Sequence, residues 1–367
     1  MPAKGPNPAA GVAKGCDSGQ GNIQMRGIDR REALGLLAAG AAAGTVVGAG
    51  PLFAQAPPDK PYTIYMITFR GDTEVEAGFR DYLAQRQIPV EYINRDVDRD
   101  PSKVAGFLEE IRTLKPDLVY TWGTPVTLAT VGPFDNPDPA KFVTDRPVVF
   151  TMVAAPVRAK VVPSLDASGR NVTGAFHVVP LDAQLRAMQS YRPFDSLGVL
   201  YTATEQNSVA LVEELRQLAP TFGFQLVERQ FKTDAAGKPV SDGLDGMIRE
   251  IKQEGADWLY LVPDTFLGSI LDQVTPICES VFLPTFGATE LAIRSGGAVT
   301  GLVCRYYSVG QLAASKAEQI LVGGQNPAMI PIETLKRFSL IVNMPLAKSF
   351  GLYPPLAMLN YAEVIVE

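Results

Sequence analysis

The stretch GVLYTATEQNSVALVEELRQLAPTFGFQL, Gly198 to Leu226, decides how this chain folds. Gly198 to Tyr201 is apolar and reads as a buried strand. Seven residues follow, of which Thr202, Thr204, Glu205, Gln206, Asn207 and Ser208 are polar. VALVEELRQLA, Val209 to Ala219, then carries helical spacing. A strand that merely turns into a helix needs a glycine and one capping side chain. Thr202 and Glu205 have the spacing of a capping box, and Asn207 or Ser208 can cap the first turn. Capping uses one or two of these groups and leaves the others free, so the loop is expected to serve as helix start and ligand wall together.

The same unit recurs along the chain. YTIYMITF (Tyr62 to Phe69), DLVYTW (Asp117 to Trp122), PVVFTMV (Pro147 to Val153), LGVLY (Leu197 to Tyr201), DWLYLVP (Asp257 to Pro263) and VFLPTF (Val281 to Phe286) are strand-like. Between them lie helical patterns such as EVEAGFRDYLAQR, SKVAGFLEEIRTL and GLDGMIREIKQ, with VGQLAASKAEQILVGG near the C-terminal end. Alternation of this kind predicts an α/β fold whose parallel sheets are covered on both faces. Two series are visible, one from Tyr62 to about Gly174 and one from Leu197 onward, and they predict two Rossmann-like lobes. Ligands of open α/β sheets sit beyond the carboxyl ends of the strands. The residues to watch are therefore Phe69 to Asp72, Thr121 to Pro125 and Thr151 to Pro156 in the first series. In the second they are Tyr201 to Ser208, Pro263 to Thr265 and Phe286 to Glu290.

Of 367 residues, 46% are hydrophobic and 20% charged, enough apolar material for one large or two medium domains. Net charge is −6 with no concentrated basic stretch, which argues against nucleic acid as the partner. Asp29-Arg30-Arg31-Glu32 precedes the run LGLLAAGAAAGTVVGAG and the small-x-small site Ala54-Gln55-Ala56. Residues 1–56 thus look like a twin-arginine export signal cleaved near Ala56, the alternative being an N-terminal membrane anchor. Cys16 would leave with that signal. Cys278 and Cys304 would remain, either paired or buried singly as small hydrophobes.

Several chemistries are missing from the sequence. His177 is the one histidine, so a two-histidine metal site is excluded, and no GxSxG, GxxxxGK[ST] or post-strand GxGxxG occurs. His177 lies in NVTGAFHVVP between the two series, a place for a chain crossing or a surface position rather than a catalytic triad.

WGTPVTLA (Trp122 to Ala129), PVVFTMVAAPV (Pro147 to Val157), NVTGAF (Asn171 to Phe176), the stretch quoted first and the tail SVGQLAASKAEQILVGGQNPAMIPIE resemble, in order and spacing, the ABC-transporter substrate-binding family typified by tryptophan-binding proteins. The resemblance implies a type I periplasmic-binding-protein fold, with two α/β lobes joined by three crossovers and a small ligand held between them. It also implies a non-enzymatic, monomeric periplasmic receptor that needs no cofactor and whose partner is an ABC permease in the inner membrane. The crossovers would fall near His177-Val178, near Tyr306-Tyr307 and near Glu333 to Lys336. Lobe 1 would comprise 57–177 with 308–333, and lobe 2 would comprise 178–307 with 334–367. Gly123-Thr124-Pro125, Glu205, Asn207, Ser208 and Asp264 match the family pattern. Ala154-Ala155 departs from the family's usual Thr-Asp, and Phe69-Arg70-Gly71-Asp72 departs from its usual first loop.

Among candidate ligand contacts, Arg70 can hold a carboxylate bidentately or pair with Asp72 or Glu74. The amides of Gly123 and Thr124 suit an anion at a helix start. Asp264 can accept from an ammonium or hydroxyl, or cap the helix after it. Phe69, Trp122, Tyr201 and Tyr306 can stack on a planar ligand or belong to the core. Thr151, Ala155 and Thr289 complete the set by their positions at strand ends. The expected ligand is a small carboxylate with an apolar or aromatic body, either an amino acid or an aromatic or hydroxylated acid. Two rival functions are an exported α/β enzyme using Asp264 or Glu205 as base, and a sensor component.

Overall fold

The computed structural model describes residues 60–366, so the expected signal over 1–56 and Cys16 lie outside the described residues. The first series contains β1 (Tyr62–Thr68), α1 (Glu74–Gln85), β2 (Val90–Asp96), α2 (Val104–Leu114), β3 (Leu118–Trp122), α3 (Thr124–Val131), β4 (Val148–Val153) and β5 (Val172–Phe176). These strands form one parallel sheet in the order β2-β1-β3-β4-β5. β3 and β4 are buried along their whole length, as strands covered on both faces must be. α1 starts on a formed capping box. Thr73 Oγ1 accepts from Val75 N, and the Glu76 carboxylate accepts from Thr73 N at 2.8 Å.

The second series runs α4 (Leu181–Tyr191), β6 (Ser196–Tyr201), α5 (Gln206–Phe222), β7 (Gln225–Gln230), the short antiparallel pair β8 (Lys232–Thr233) and β9 (Pro239–Val240), and α6 (Leu244–Gln253). It continues through β10 (Trp258–Leu261), α7 (Thr265–Ser269), α8 (Leu271–Ser280), β11 (Thr285–Gly287), α9 (Glu290–Arg294) and β12 (Thr300–Val303). The chain then makes α10 (Tyr306–Leu321), β13 (Ser339–Asn343), α11 (Met344–Ser349), α12 (Leu356–Leu359) and β14 (Glu363–Ile365). The second sheet has the order β14-β13-β12-β11-β10-β6-β7, parallel except where β12 meets β13. The fold is therefore α/β with two lobes of periplasmic-binding-protein type.

The chain passes between the sheets three times: after β5, between β12 and α10, and between Glu333 and β13. Glu333 still bridges Ala175 of the first sheet, and Cys304 Sγ lies 3.3 Å from Thr334 Oγ1, tying the second passage to the third. α10 returns to the first lobe and packs on α1 at backbone distance. A Cβ on Gly310 would stand 1.9 Å from Val75 O, and one on Gly78 would stand 2.0 Å from Tyr307 O. Only glycine permits that approach.

One expectation needs correction, and one open alternative closes. The segment VFLPTF is not one strand: Val281 to Pro284 form the turn out of α8, with exposed Phe282 at a φ of 51°, and β11 starts at Thr285. Cys278 and Cys304 are free thiols, each buried in the core of a different lobe, so they do not pair.

Candidate functional site

In each sheet the strand order reverses once, between β1 and β3 in the first and between β6 and β10 in the second. The loops leaving these four strands are Phe69-Arg70, Gly123-Thr124, Thr202 to Glu205 and Val262 to Asp264. They meet around an inner cavity of about 60 Å³ between the lobes. A wider vestibule of about 440 Å³ adjoins it and shares Phe69, Thr124, Glu205, Asn207 and Thr265. At the vestibule rim, Lys238 of the β8-β9 hairpin reaches Asp100 of the first lobe at 3.5 Å.

The first lobe supplies aromatic faces and one cation. Phe69 and Trp122 stack with ring centroids 5.8 Å apart and planes 13° from parallel. The Arg70 guanidinium lies over the Trp122 ring, 5.1 Å from its centroid. Among the described residues, Arg70 has no salt bridge and no side-chain hydrogen bond. Its alternative partner Asp72 is taken by Arg80, which grips both carboxylate oxygens at 2.6 and 3.0 Å. Met152 also lines the cavity, at a φ of 58° on a bulge where the β4-β5 register shifts.

The second lobe supplies two carboxylates. Asp264 caps α7 by accepting from Leu267 N at 2.9 Å. It also accepts from Thr202 N at 2.7 Å and Thr202 Oγ1 at 3.0 Å, binding the β6 loop to the β10 loop. Glu205 accepts from Asn207 Nδ2 at 3.0 Å, from Thr265 N at 3.0 Å and from Thr265 Oγ1 at 2.5 Å. Desolvation, with the neighbouring charge of Asp264, pushes the Glu205 carboxyl up to about 8. Asp264 is raised as well, chiefly by burial, while its donors resist the shift.

Three buried polar atoms of this cavity lining have no partner: Trp122 Nε1, His177 Nδ1 and Asn207 Oδ1. Buried polar groups are ordinarily satisfied, so these three are available to bond a molecule that enters the cleft. His177 sits at the first passage between lobes, edge-on to Tyr306 at 6.3 Å. Burial and the Arg70 charge hold it neutral, at about 3. Among the described residues, no group of three or more His, Cys, Asp and Glu side chains is placed to hold a metal ion, and no helix is long and apolar enough to cross a membrane.

The geometry is that of a solute cleft, and the family model described as ABC transporter substrate binding protein matches residues 67–366. The chain belongs to this family of substrate-binding proteins. It is 26% identical over 240 residues to a tyrosine-binding protein of Clostridioides difficile (strain R20291), a match covering 65% of this chain and 64% of that relative's length. Among solved structures it resembles the ABC domain in complex with L-Trp from Streptococcus pneumonia, with a TM-score of 0.71 and 21% identity over 83% of this chain and 100% of that one. A conserved domain protein from Vibrio cholerae o1 biovar eltor matches with a TM-score of 0.72 and 23% identity, over 83% of this chain and 99% of that one. At these identities the structural likenesses establish the fold.

Of the residues singled out in this substrate-binding protein, Phe69, Arg70, Trp122, Gly123, Thr124, Glu205, Asn207, Asp264, Thr289 and Tyr306 line the inner cavity. The other four do not. Thr151 turns into the first lobe and donates to Tyr120 Oη at 2.8 Å, and Tyr201 turns outward to Gln230 at 2.6 Å. Ala155 lines a separate hollow, while Ser208 lies behind Asp264, near enough to favour its charged form. Three local readings also change. Gly123 N–H is already bonded to Thr151 O at 2.8 Å and Pro125 has none, so the α3 start keeps only the Thr124 and Val126 amides for an anion. Glu205 stands at the N-cap of α5 without capping it, because its side chain has turned to Thr265. His177, assigned to a crossing or the surface, is at a crossing and also inside the cavity wall.

Proposed function

We propose that this protein is the exported receptor of an ABC importer, capturing a small carboxylate with an aromatic or apolar body and delivering it to a permease of the inner membrane. The observation that carries this reading is Arg70, an unpartnered guanidinium held over Trp122 at 5.1 Å in the wall of the cavity between the lobes. Such a group awaits an anion, and its planar fork matches a carboxylate. The facing wall of Glu205, Asn207 and Asp264 suits an ammonium or hydroxyl. Aromatic amino acids are the first choice, in keeping with the tyrosine-binding relative and the fold shared with an L-Trp complex; aromatic or hydroxylated acids come second.

An inner cavity of about 60 Å³ is too small for an aromatic body, so the ligand also needs the vestibule of about 440 Å³. In this account residues 57–177 with 308–333 and residues 178–307 with 334–367 move as two rigid units about the three passages. Only the closed arrangement contacts ligand from both sides, and binding energy drives closure. Residues 1–56 direct export as a twin-arginine signal, and the mature receptor is a periplasmic monomer. Titration of the mature protein with L-tyrosine and L-tryptophan, followed by calorimetry, tests the reading. Saturable one-to-one binding without turnover supports it. Chemical conversion of the ligand would favour the enzyme alternative based on Glu205 or Asp264.

A further inference from the structure

We propose that the unliganded cleft carries one proton on Glu205, and that a ligand's ammonium group takes that proton's place. The proposal rests on reading the cleft as the ligand site and goes further by stating which charge the second lobe requires.

Glu205 and Asp264 share one hydrogen-bonded cluster. Thr265, which follows Asp264 directly, gives both its N–H and its hydroxyl to Glu205, and Asn207 Nδ2 joins Glu205 to Pro263 O. Among the described residues neither carboxylate has a cationic partner. Two anions in one hydrogen-bonded cluster without a counter-charge are costly, and the pair is relieved when one member takes a proton. The donor pattern says which member. Thr202 N donates to Asp264 Oδ2 while Thr202 Oγ1 and Leu267 N donate to Oδ1, so both oxygens of Asp264 have donors of their own. The donors to Glu205 converge on Oε1 and its Oε2 only shares the Thr265 N–H, so Asp264 charges first and Oε2 has room for the proton. Its charge then raises Glu205 to about 8.

The other charged and titratable groups around Glu205 do not replace that proton. Arg70 and Tyr306 line the same cavity from the first lobe, Arg70 stacked on Trp122 and Tyr306 held in its neutral form by burial. His177 is neutral at the first passage. At the rim, Lys238 is paired with Asp100, and Arg99 lines only the vestibule. A second, independent sign of a missing ligand donor lies within the cluster. Asn207 is 3% exposed, and its Oδ1 has no partner although its Nδ2 has two. A ligand ammonium placed there gives one N–H to Asn207 Oδ1 and another to Glu205. The Glu205 O–H bond breaks, its proton leaves to solvent, and the ammonium enters already charged, so charge balances.

The experiment compares L-tyrosine with its deaminated analogue 3-(4-hydroxyphenyl)propionate on the mature wild-type protein and on Glu205→Gln, by calorimetry across pH 6–9. Closure around the deaminated acid keeps the proton on Glu205, whereas closure around the amino acid expels it. The ratio of the two affinities therefore rises about tenfold per pH unit below pH 7.5, levels off near pH 8, and is flat in Glu205→Gln. A ratio constant with pH in the wild type, or a rise that survives in the variant, overturns the proposal. If neither compound binds at any pH, the ligand reading above fails, and infrared difference spectra of unliganded wild type against Glu205→Gln decide the proton alone. A protonated-carboxyl band at pH 7 that disappears above about pH 8 supports the proposal, and absence of that band overturns it.

Discussion

The guanidinium of Arg70 lies over the indole of Trp122, 5.1 Å from the ring centroid, and takes no salt-bridge partner among the described residues. The ring face attracts the cation without using any of its N–H groups, which stay free for a carboxylate. Arg70→Ala should therefore cost about 2–5 kcal/mol of carboxylate binding, the usual range for truncating one partner of a buried charge pair. Arg70→Lys should recover only part, since a lysine keeps the charge and loses the fork. Isothermal titration of both variants checks this, and an unchanged Arg70→Ala affinity would remove Arg70 from the site.

The contact of α1 with α10 is a stability feature rather than a binding one. A methyl group at Gly310 would meet Val75 O at 1.9 Å and Phe79 N at 2.9 Å, both backbone atoms that cannot swing aside. Gly310→Ala should lower unfolding free energy by about 1–3 kcal/mol or more, the range for overpacking. Urea unfolding of the variant reads this directly; a midpoint equal to wild type would mean that α10 lies farther from α1 in solution.

Glu76 gives a pH dependence with a definite sign. Its buried carboxyl accepts from Thr73 N and lies 2.5 Å from Tyr120 Oη, yet desolvation outweighs these bonds and holds it above the ordinary carboxylate range. A folded-state value above the unfolded one means stability that is present below the unfolded value and lost as pH rises through the folded one. The stability of wild type relative to Glu76→Gln should accordingly fall as pH rises from about 4.5. Chemical denaturation of both proteins at a series of pH values measures it, and a difference that grows with pH contradicts the assignment.

Export should depend on the paired arginines. With Arg30→Lys and Arg31→Lys together, precursor should remain in the cytoplasm, because the twin-arginine route reads that pair ahead of a mild apolar run. Fractionation followed by mass spectrometry distinguishes this from normal secretion of the double variant.

The lobes were legible because strand and helix periods alternate, and the ends of β1, β3, β6 and β10 pointed to the loops that line the cavity. Side-chain direction was not legible. Parallel strands buried on both faces carry no polar alternation, so nothing in the sequence said that Thr151 turns toward Tyr120 or Tyr201 toward Gln230. The polar run after Tyr201 marked a cavity wall, but the partner of Glu205 is Thr265, sixty residues away, and local capping rules look only three or four residues ahead. β2 was passed over because VEYINRD is an edge strand with several exposed residues. His177 offered one signal, its position at the first passage between lobes, but its neighbours Val178 and Val179 are buried there without lining the cavity, so that position alone did not aim the imidazole.

If Arg70 and the cleft select a carboxylate, calorimetry with matched acids and amides will show it. L-Tyrosine and L-tryptophan should bind the mature protein at least about tenfold more tightly than tyrosinamide and tryptophanamide, since a hydrogen bond to a charged group is worth about 1.5–3 kcal/mol. Equal affinity for acid and amide would contradict the account and leave the guanidinium over Trp122 without a role in recognition.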